Sequence, residues 1–371
     1  MDKVRLVLVG GFLGAGKTTL LSEVAARLMS GGKRVGLITN DQATNLVDTE
    51  LLAQKGFGVS EVAGGCFCCR FQDLESAASK LVTELKPDVL LGEPVGSCTD
   101  ISATVLQPIK FLWADWISIA PFSVLTDPQR LREALDDKAS GDFPDSVMYI
   151  FRKQLEEADL IVLNKVDLLS ADQIAKLKAA IAERHPGVSV LTMSATTGQG
   201  VDEWMKVMLD GGTAGHRIVE VDYDTYANGE AVLGWLNASV TLHADGGADW
   251  HAFCEDLIGR VQSDLAVRHA EIAHAKILLN TEAGSIVASA TNNADMPTLR
   301  GAIEGSPQEA VLVVNARVNM GPEDLRAVIE ETLAAACAEA GVTHEVQAIQ
   351  NFSPSYPTPV HRYDRVVEAK A

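Results

Sequence analysis

Long apolar runs are missing from this chain: no segment approaches the roughly twenty residues that a membrane-spanning helix requires, so a membrane role is not expected. Positive charge is also scarce. With 31 Lys and Arg against 50 Asp and Glu the formal charge is −19, and basic side chains never gather beyond an adjacent pair. Neutralising a phosphate backbone takes clustered basic groups, so a general nucleic-acid binder is excluded and the acidity reads as solubility. There is no histidine-rich tract, which argues against a metal store. The start, Met1-Asp2-Lys3-Val4, runs straight into a strand pattern without a signal peptide, and a soluble cytoplasmic protein is the expectation. In that compartment six cysteines in 371 residues do not form a disulfide framework. Each must be core, reactive or metal-binding.

What the chain does have begins at residue 10. An apolar strand pattern over 4–9 leads into Gly10-Gly11-Phe12-Leu13-Gly14-Ala15-Gly16-Lys17-Thr18-Thr19, and a helical stripe of Leu20, Leu21, Val24, Ala25 and Leu28 follows, closed by Gly31-Gly32. A G-x4-G-K-T loop between strand and helix is a phosphate-binding loop. Its glycines, Gly11, Gly14 and Gly16, let the backbone N–H groups around Ala15, Lys17, Thr18 and Thr19 face phosphate oxygens. Lys17 reaches the β and γ phosphates, and the Thr18 hydroxyl suits Mg²⁺. Further unalternating apolar strands are expected over 34–39, 88–92, 117–125, 159–163 and 188–193. Separated by helical stretches, they indicate a mainly parallel sheet covered on both faces.

Two strand ends carry more chemistry. Asn164-Lys165-Val166-Asp167 closes the strand over 159–163 as an N-K-x-D signature. The Asp167 carboxylate there can accept from the ring N–H and exocyclic amine of guanine, a donor pair adenine lacks. Ser194-Ala195-Thr196 follows the next strand, so GTP is the expected nucleotide. Glu93, ending the strand over 88–92, stands where a nucleotide hydrolase holds Mg²⁺ directly or through water. The Gly96 N–H can then donate to the γ-phosphate, ordering a loop that hydrolysis releases.

Gly64-Gly65-Cys66-Phe67-Cys68-Cys69 sets this chain apart from an ordinary GTPase. Thiolates suit Zn²⁺, Cu⁺, Co²⁺ and Ni²⁺. In extended backbone Cys66 and Cys68 share a side while Cys69 points away, so the first two make the primary pair and Cys69 joins only if the chain turns sharply. A fourth ligand must come from a carboxylate, water or a second subunit, the last making the protein a homodimer. A closed structural zinc site and a redox dithiol are the competing readings. Cys98 either completes the thiol site or is a small buried residue.

In order, phosphate loop, C-x-C-C, E-x-x-G, N-K-x-D and S-A cover roughly residues 4 to 205, and over them the chain resembles the CobW-type subgroup of P-loop GTPases. This is a family of nucleotide-dependent metallochaperones and metal-enzyme maturation factors. The resemblance implies that Thr18 and Glu93 serve Mg²⁺, that Asp167 reads guanine, and that Cys66 and Cys68, with Cys69 as a further candidate, bind a metal when GTP orders the loop; Zn²⁺ or Co²⁺ is the expected ion, although the resemblance itself fixes no particular metal. Departures exist. The first switch reads Asn40-Asp41-Gln42-Ala43-Thr44-Asn45-Leu46-Val47-Asp48, keeping Asp41 as a candidate metal ligand but placing Thr44 where the family has an acid. Pro94-Val95 stands where small hydroxyl residues are usual.

The motif series stops in the small-residue stretch 209–215, where a domain boundary is expected, giving 1–212 as the GTPase domain and 213–371 as a CobW-like C-terminal domain. The second half reads as strands over 231–242, 271–280, 285–291, 309–319 and 343–349 with helices over 249–265 and 322–340. That is a smaller α+β sandwich with antiparallel strands and helices on one face, similar to the ferredoxin-like C-terminal domain of the same family. His251 and Cys254 share a helix face, but Cys254 also falls on the stripe with Trp250, Leu257, Ile258, Val261 and Leu265, which makes it core. The proline-bearing stretch 352–365 is expected to run extended over the surface. The leading expectation is a slow GTPase, with Lys17 and Glu93 as its catalytic groups, that couples GTP–Mg²⁺ to metal binding at the cysteines and to delivery to a client metalloprotein or cofactor enzyme. The alternatives are a GTP-driven adaptor for a corrinoid or metal enzyme, and a small-molecule phosphotransferase.

Overall fold

Short unalternating runs rich in Val, Leu and Ile recur along the first half, and most of them become strands buried on both faces. The computed structural model describes residues 3–40, 42, 52, 56–135, 143–210 and 212–368. Its first sheet is built from β1 (Val4–Gly10), β2 (Val35–Asn40), β3 (Gly58–Val62), β4 (Val89–Glu93), β5 (Ile117–Ile119), β6 (Ser123–Thr126), β7 (Leu160–Leu163) and β8 (Ser189–Thr192). Every pairing is parallel, in the order β3-β2-β4-β1-β6-β7-β8, with β5 also beside β1. Parallel neighbours need crossovers, which the helices Lys17–Ser30, Phe71–Leu85, Asp145–Glu157 and Ala171–Arg184 supply; Val201–Leu209 follows the last strand. The strand expected over 117–125 is broken in two. Ala120 still donates its N–H to Leu6 O, but Pro121 has none to give, and pairing with β1 resumes at Ser123. β3 escaped the sequence reading because it is a short edge strand, GVSEV, with one fully buried residue.

In the second half β9 (Gly234–His243), β10 (Ile272–Thr281), β11 (Gly284–Ala290), β12 (Thr298–Ile303), β13 (Glu309–Val318) and β14 (Thr343–Phe352) form an antiparallel sheet ordered β12-β11-β10-β13-β9-β14. The four strands β14-β9-β13-β10, with the helix Trp250–Val267 after β9 and Pro322–Ala340 after β13, have the ferredoxin-like arrangement. β11 and β12 extend it. Alternate residues such as Leu236, Ala238, Val240 and Leu242 join both helices in one core, so the helices share a face of the sheet. Cys254 sits fully inside this core, as its helical stripe requires. β12 was not anticipated; Gly301, at φ 91 in its middle, spoils the strand pattern.

The division between units differs from the expected 212/213. Ala227–Ser355 fall in the second unit, whereas Leu52–Tyr226 and the chain from Tyr356 fall in the first. Residues 213–222 stay with the first because it captures their backbone. Asp159 accepts from the N–H groups of Gly215 and His216, and Gln107 and Lys110 donate to Gly215 O. Among the described residues no helix is long and apolar enough to cross a membrane.

Trp204 anchors the helix Val201–Leu209 on the first sheet. It is fully buried and donates its Nε1–H to Ser123 Oγ at 3.0 Å. Trp204→Ala is expected to cost about 3–5 kcal/mol in urea unfolding. Val207→Ala on the same helix, at a residue 38% exposed, should change stability by less than about 0.5 kcal/mol.

Candidate functional site

The loop after β1 turns tightly enough to place Gly11, Gly14 and Gly16 at φ 127, 75 and 96. Gly16 has no alternative: a Cβ there would lie 2.5 Å from Asn164 Nδ2. Lys17 opens the helix Lys17–Ser30 and turns its ammonium back over the loop, donating to Gly11 O at 2.8 Å and Phe12 O at 3.3 Å. Thr18 and Thr19 follow in the first turn. The Thr18 hydroxyl donates to Glu93 Oε1 at 3.2 Å, and Lys17 Nζ lies 3.9 Å from the same oxygen. A Cβ on Gly96 would sit 3.0 Å from Lys17 Nζ. Thus Lys17, Thr18, Glu93 and Gly96, separated by up to 79 positions, converge on one spot. Two hard oxygens beside an ammonium at a helix N-terminus fit Mg²⁺ and a phosphate chain.

Asn164 works inward. Its Nδ2 donates to Ala15 O at 2.8 Å and its Oδ1 accepts from the Ala195 N–H at 3.0 Å, so one side chain joins the phosphate loop to the Ser194-Ala195 turn. Ser194 is fully buried and its hydroxyl accepts from the Thr197 N–H. Lys165 adopts φ 58 and ion-pairs with Asp127 at 2.7 Å. Asp127 was not singled out in the sequence; its only signal is its place just after β6. Asp167 lies exposed in the short turn Val166–Leu168, beside this loop assembly, where a carboxylate can meet a base from solvent. Asp41 lies outside the described residues.

The extended backbone expected for the cysteines is not what forms. The N–H groups of Cys69 and Arg70 both donate to Cys66 O, closing a tight turn ahead of the helix Phe71–Leu85. That turn brings Cys69 in: the three sulfurs lie within 4.8 Å of one another, Cys66 to Cys68 at 3.0 Å and Cys68 to Cys69 at 3.8 Å. Tetrahedral coordination with arms near 2.3 Å has edges of about 3.8 Å, so the set fits a thiophilic ion. Asn40, at the end of β2, holds the turn, donating to Val62 O and Gly65 O and accepting from the Phe67 N–H. Phe67 is fully buried, its ring 3.9 Å from the Cβ position of Gly92.

Sulfur protonation is shared unevenly. Hydrogen bonds from Cys68 first, then Cys69 and Cys98, hold the Cys66 thiol well below its usual range. The same bond to Cys66 pushes Cys68 up, and Cys69 is pushed up to about 11. Of the three sulfurs Cys66 gives up its proton most readily, and Cys68 and Cys69 hold theirs more firmly.

The stretch after Tyr356 runs over this turn. Thr358 donates its N–H to Cys69 Sγ at 3.3 Å and Val360 to Cys68 O at 2.9 Å. His361 meets Phe71 edge-on at 4.9 Å, and Arg362 Nε donates to the buried Asp100 at 2.7 Å, which also accepts from Tyr223 Oη. The extended run was legible from its prolines; its landing place was not. Glu157, fully buried, accepts from the Thr99 hydroxyl and the Ser102 N–H, and burial pushes its carboxyl up to about 8.

An ion taken by these sulfurs must displace the protons of Cys68 and Cys69. Apparent Zn²⁺ affinity is therefore expected to rise with pH by at least on the order of a hundredfold per pH unit near neutrality, by competition with a chromophoric chelator. A flat profile would contradict the protonation pattern.

The family model for the CobW/HypB/UreG nucleotide-binding domain matches residues 5–192. The zinc chaperone CobW of Pseudomonas aeruginosa is 28% identical over 229 residues, covering 54% of this chain and 58% of that protein. The zinc chaperone YeiR of Escherichia coli K12 is 32% identical over 166 residues, 44% of this chain and 47% of that protein. The zinc-regulated GTPase metalloprotein activator 1 of Dictyostelium discoideum is 24% identical over 218 residues, 51% of this chain and 46% of that protein. The chain thus spans about half the length of the curated relatives it matches. With the phosphate loop, Glu93, the thiol turn and the base loop all inside the matched span, the chain belongs to the CobW/HypB/UreG nucleotide-binding family.

Proposed function

We propose that this chain is a GTP-hydrolysing metallochaperone that takes up a transition metal at Cys66, Cys68 and Cys69 in its GTP-bound form and gives it up to a client metalloprotein after hydrolysis. Zinc is the favoured cargo, since three relatives carry zinc in their names and a cluster of three thiols suits it; Co²⁺ is second. In this reading Lys17 and the loop N–H groups bind the phosphates, Thr18 and Glu93 hold Mg²⁺, and Asp167 selects guanine. Turnover is slow, as suits a switch, and the protein works in the cytoplasm. The unit Ala227–Ser355 serves as the CobW-like C-terminal domain.

One observation carries the reading: Phe67, between two of the cysteines, packs beside Gly92, the residue before Glu93. A shift of Glu93 toward or away from Mg²⁺ moves the strand end on which the thiol turn rests. Asn40, leaving β2 toward the first switch, grips the same turn.

Single-turnover release tests it. Zinc-loaded protein bound to GTP is mixed with a zinc-responsive dye while phosphate is followed in parallel. Zinc transfer is expected to track phosphate release, and a non-hydrolysable GTP analogue should slow it at least about tenfold. Transfer at one rate with both nucleotides would overturn the coupling and favour a conformational adaptor whose cysteines deliver nothing.

A further inference from the structure

Cys66 and Cys68 are buried, whereas Cys69 is only partly so. A contact from outside can therefore reach the sulfur set at Cys69, and the chain after Tyr356 makes one there. In Pro357-Thr358-Pro359-Val360 the two prolines have no N–H to give, so the stretch owns two backbone donors. Both go to the thiol turn: the Thr358 N–H to Cys69 Sγ at 3.3 Å and the Val360 N–H to Cys68 O at 2.9 Å.

Polar anchors further along hold the stretch in place. Arg362 donates from Nε to Asp100 Oδ2 at 2.7 Å and from Nη2 to Val219 O at 3.1 Å. The Tyr363 N–H donates to Ala103 O at 3.0 Å and the Val367 N–H to Gln107 Oε1 at 2.8 Å. Asp100 is 1% exposed, and a carboxylate buried to that degree is costly to leave without its cation, so the ion pair resists detachment. Thr358 itself is exposed. Its place against Cys69 follows from its N–H bond and these anchors, not from burial of its side chain.

We propose that Thr358 is a positioning residue of the metal site, its backbone N–H supporting the Cys69 sulfur from outside, and that the Arg362–Asp100 ion pair keeps it there. The inference rests on the metal-binding reading of Cys66, Cys68 and Cys69 and deepens it. A thiol is a weak acceptor, but a bound ion holds Cys69 as thiolate, and a hydrogen bond to a charged acceptor is roughly twice as strong as a neutral one. The donor thus favours the loaded site over the empty one. It also orients the sulfur, as outer partners do for other metal ligands. Because the donor belongs to the backbone, the side chain at position 358 can vary, but proline cannot serve.

Co²⁺ absorption and amide exchange on the full chain test it together. A hydrogen bond draws electron density from sulfur and raises the energy of thiolate-to-Co²⁺ charge transfer. Thr358→Pro should therefore shift that band to longer wavelength and lower zinc affinity at least about tenfold. Thr358→Ala, which keeps the N–H, should match the unaltered protein in both. Arg362→Gln should move both readouts in the direction of Thr358→Pro, and Arg362→Lys should recover part of the change. In the unaltered protein, exchange of the Thr358 amide should slow at least about tenfold on loading with zinc, a measurement that needs no variant to fold. Either an unshifted band in Thr358→Pro or a Thr358 amide indifferent to zinc would overturn this inference alone and leave the three-cysteine site standing. No thiolate-to-Co²⁺ band in the unaltered protein would overturn the parent reading and this one together.

Discussion

Thr18 donates its hydroxyl proton to Glu93 across 3.2 Å, and the residue before Glu93 is a glycine against which Leu8 and Phe67 both pack. This short stretch of β4 is a shared wall. One side faces the phosphate loop and the other supports the turn that gathers the sulfurs. Interiors packed at crystal density transmit displacement instead of absorbing it, so a strand end contacted from both sides cannot shift for one neighbour alone. The bare Cα of Gly92 keeps the distance short. A side chain there would meet Leu8 within 2.3 Å and push the layers apart.

Around that wall the chain uses polar clamps where it might have used apolar filling. Asn40 makes three bonds to the thiol turn, Asn164 two between the phosphate and Ser194 loops, and Gln154 two along the loop after β4. Each is a neutral amide with donors and acceptor on one rigid plane, so each fixes two backbone segments at a set separation. Such contacts define discrete positions more sharply than apolar packing does, and discrete positions are what a nucleotide switch requires.

Much of the site was legible in the sequence because its parts are local. The phosphate loop, N-K-x-D and C-x-C-C are short strings whose chemistry follows from residue type and spacing, and the parallel sheet follows from unalternating Val and Leu runs. What was not legible is non-local or depends on a bond count. The turn that draws Cys69 in depends on two N–H groups sharing Cys66 O, which no side-chain periodicity reveals. The break at Pro121 was visible as a proline but hidden by the apolar residues around it. The return of the chain after Tyr356 to the thiol turn, through Thr358 and Val360, joins residues nearly 300 positions apart. The division after Tyr226 could not be read from composition, because hydrogen bonds to Asp159 and Gln107, not apolar surface, hold residues 213–222 to the first unit.

The central claim is that the terminal phosphate and the sulfur-bound ion share free energy through the end of β4. Its most direct test is equilibrium Co²⁺ binding, followed by the thiolate-to-metal charge-transfer absorption, in protein saturated with Mg²⁺ and either a non-hydrolysable GTP analogue or GDP. A coupling of about 1–3 kcal/mol, or roughly 5- to 150-fold tighter binding with the triphosphate, is predicted. Equal affinity in the two states would contradict the account.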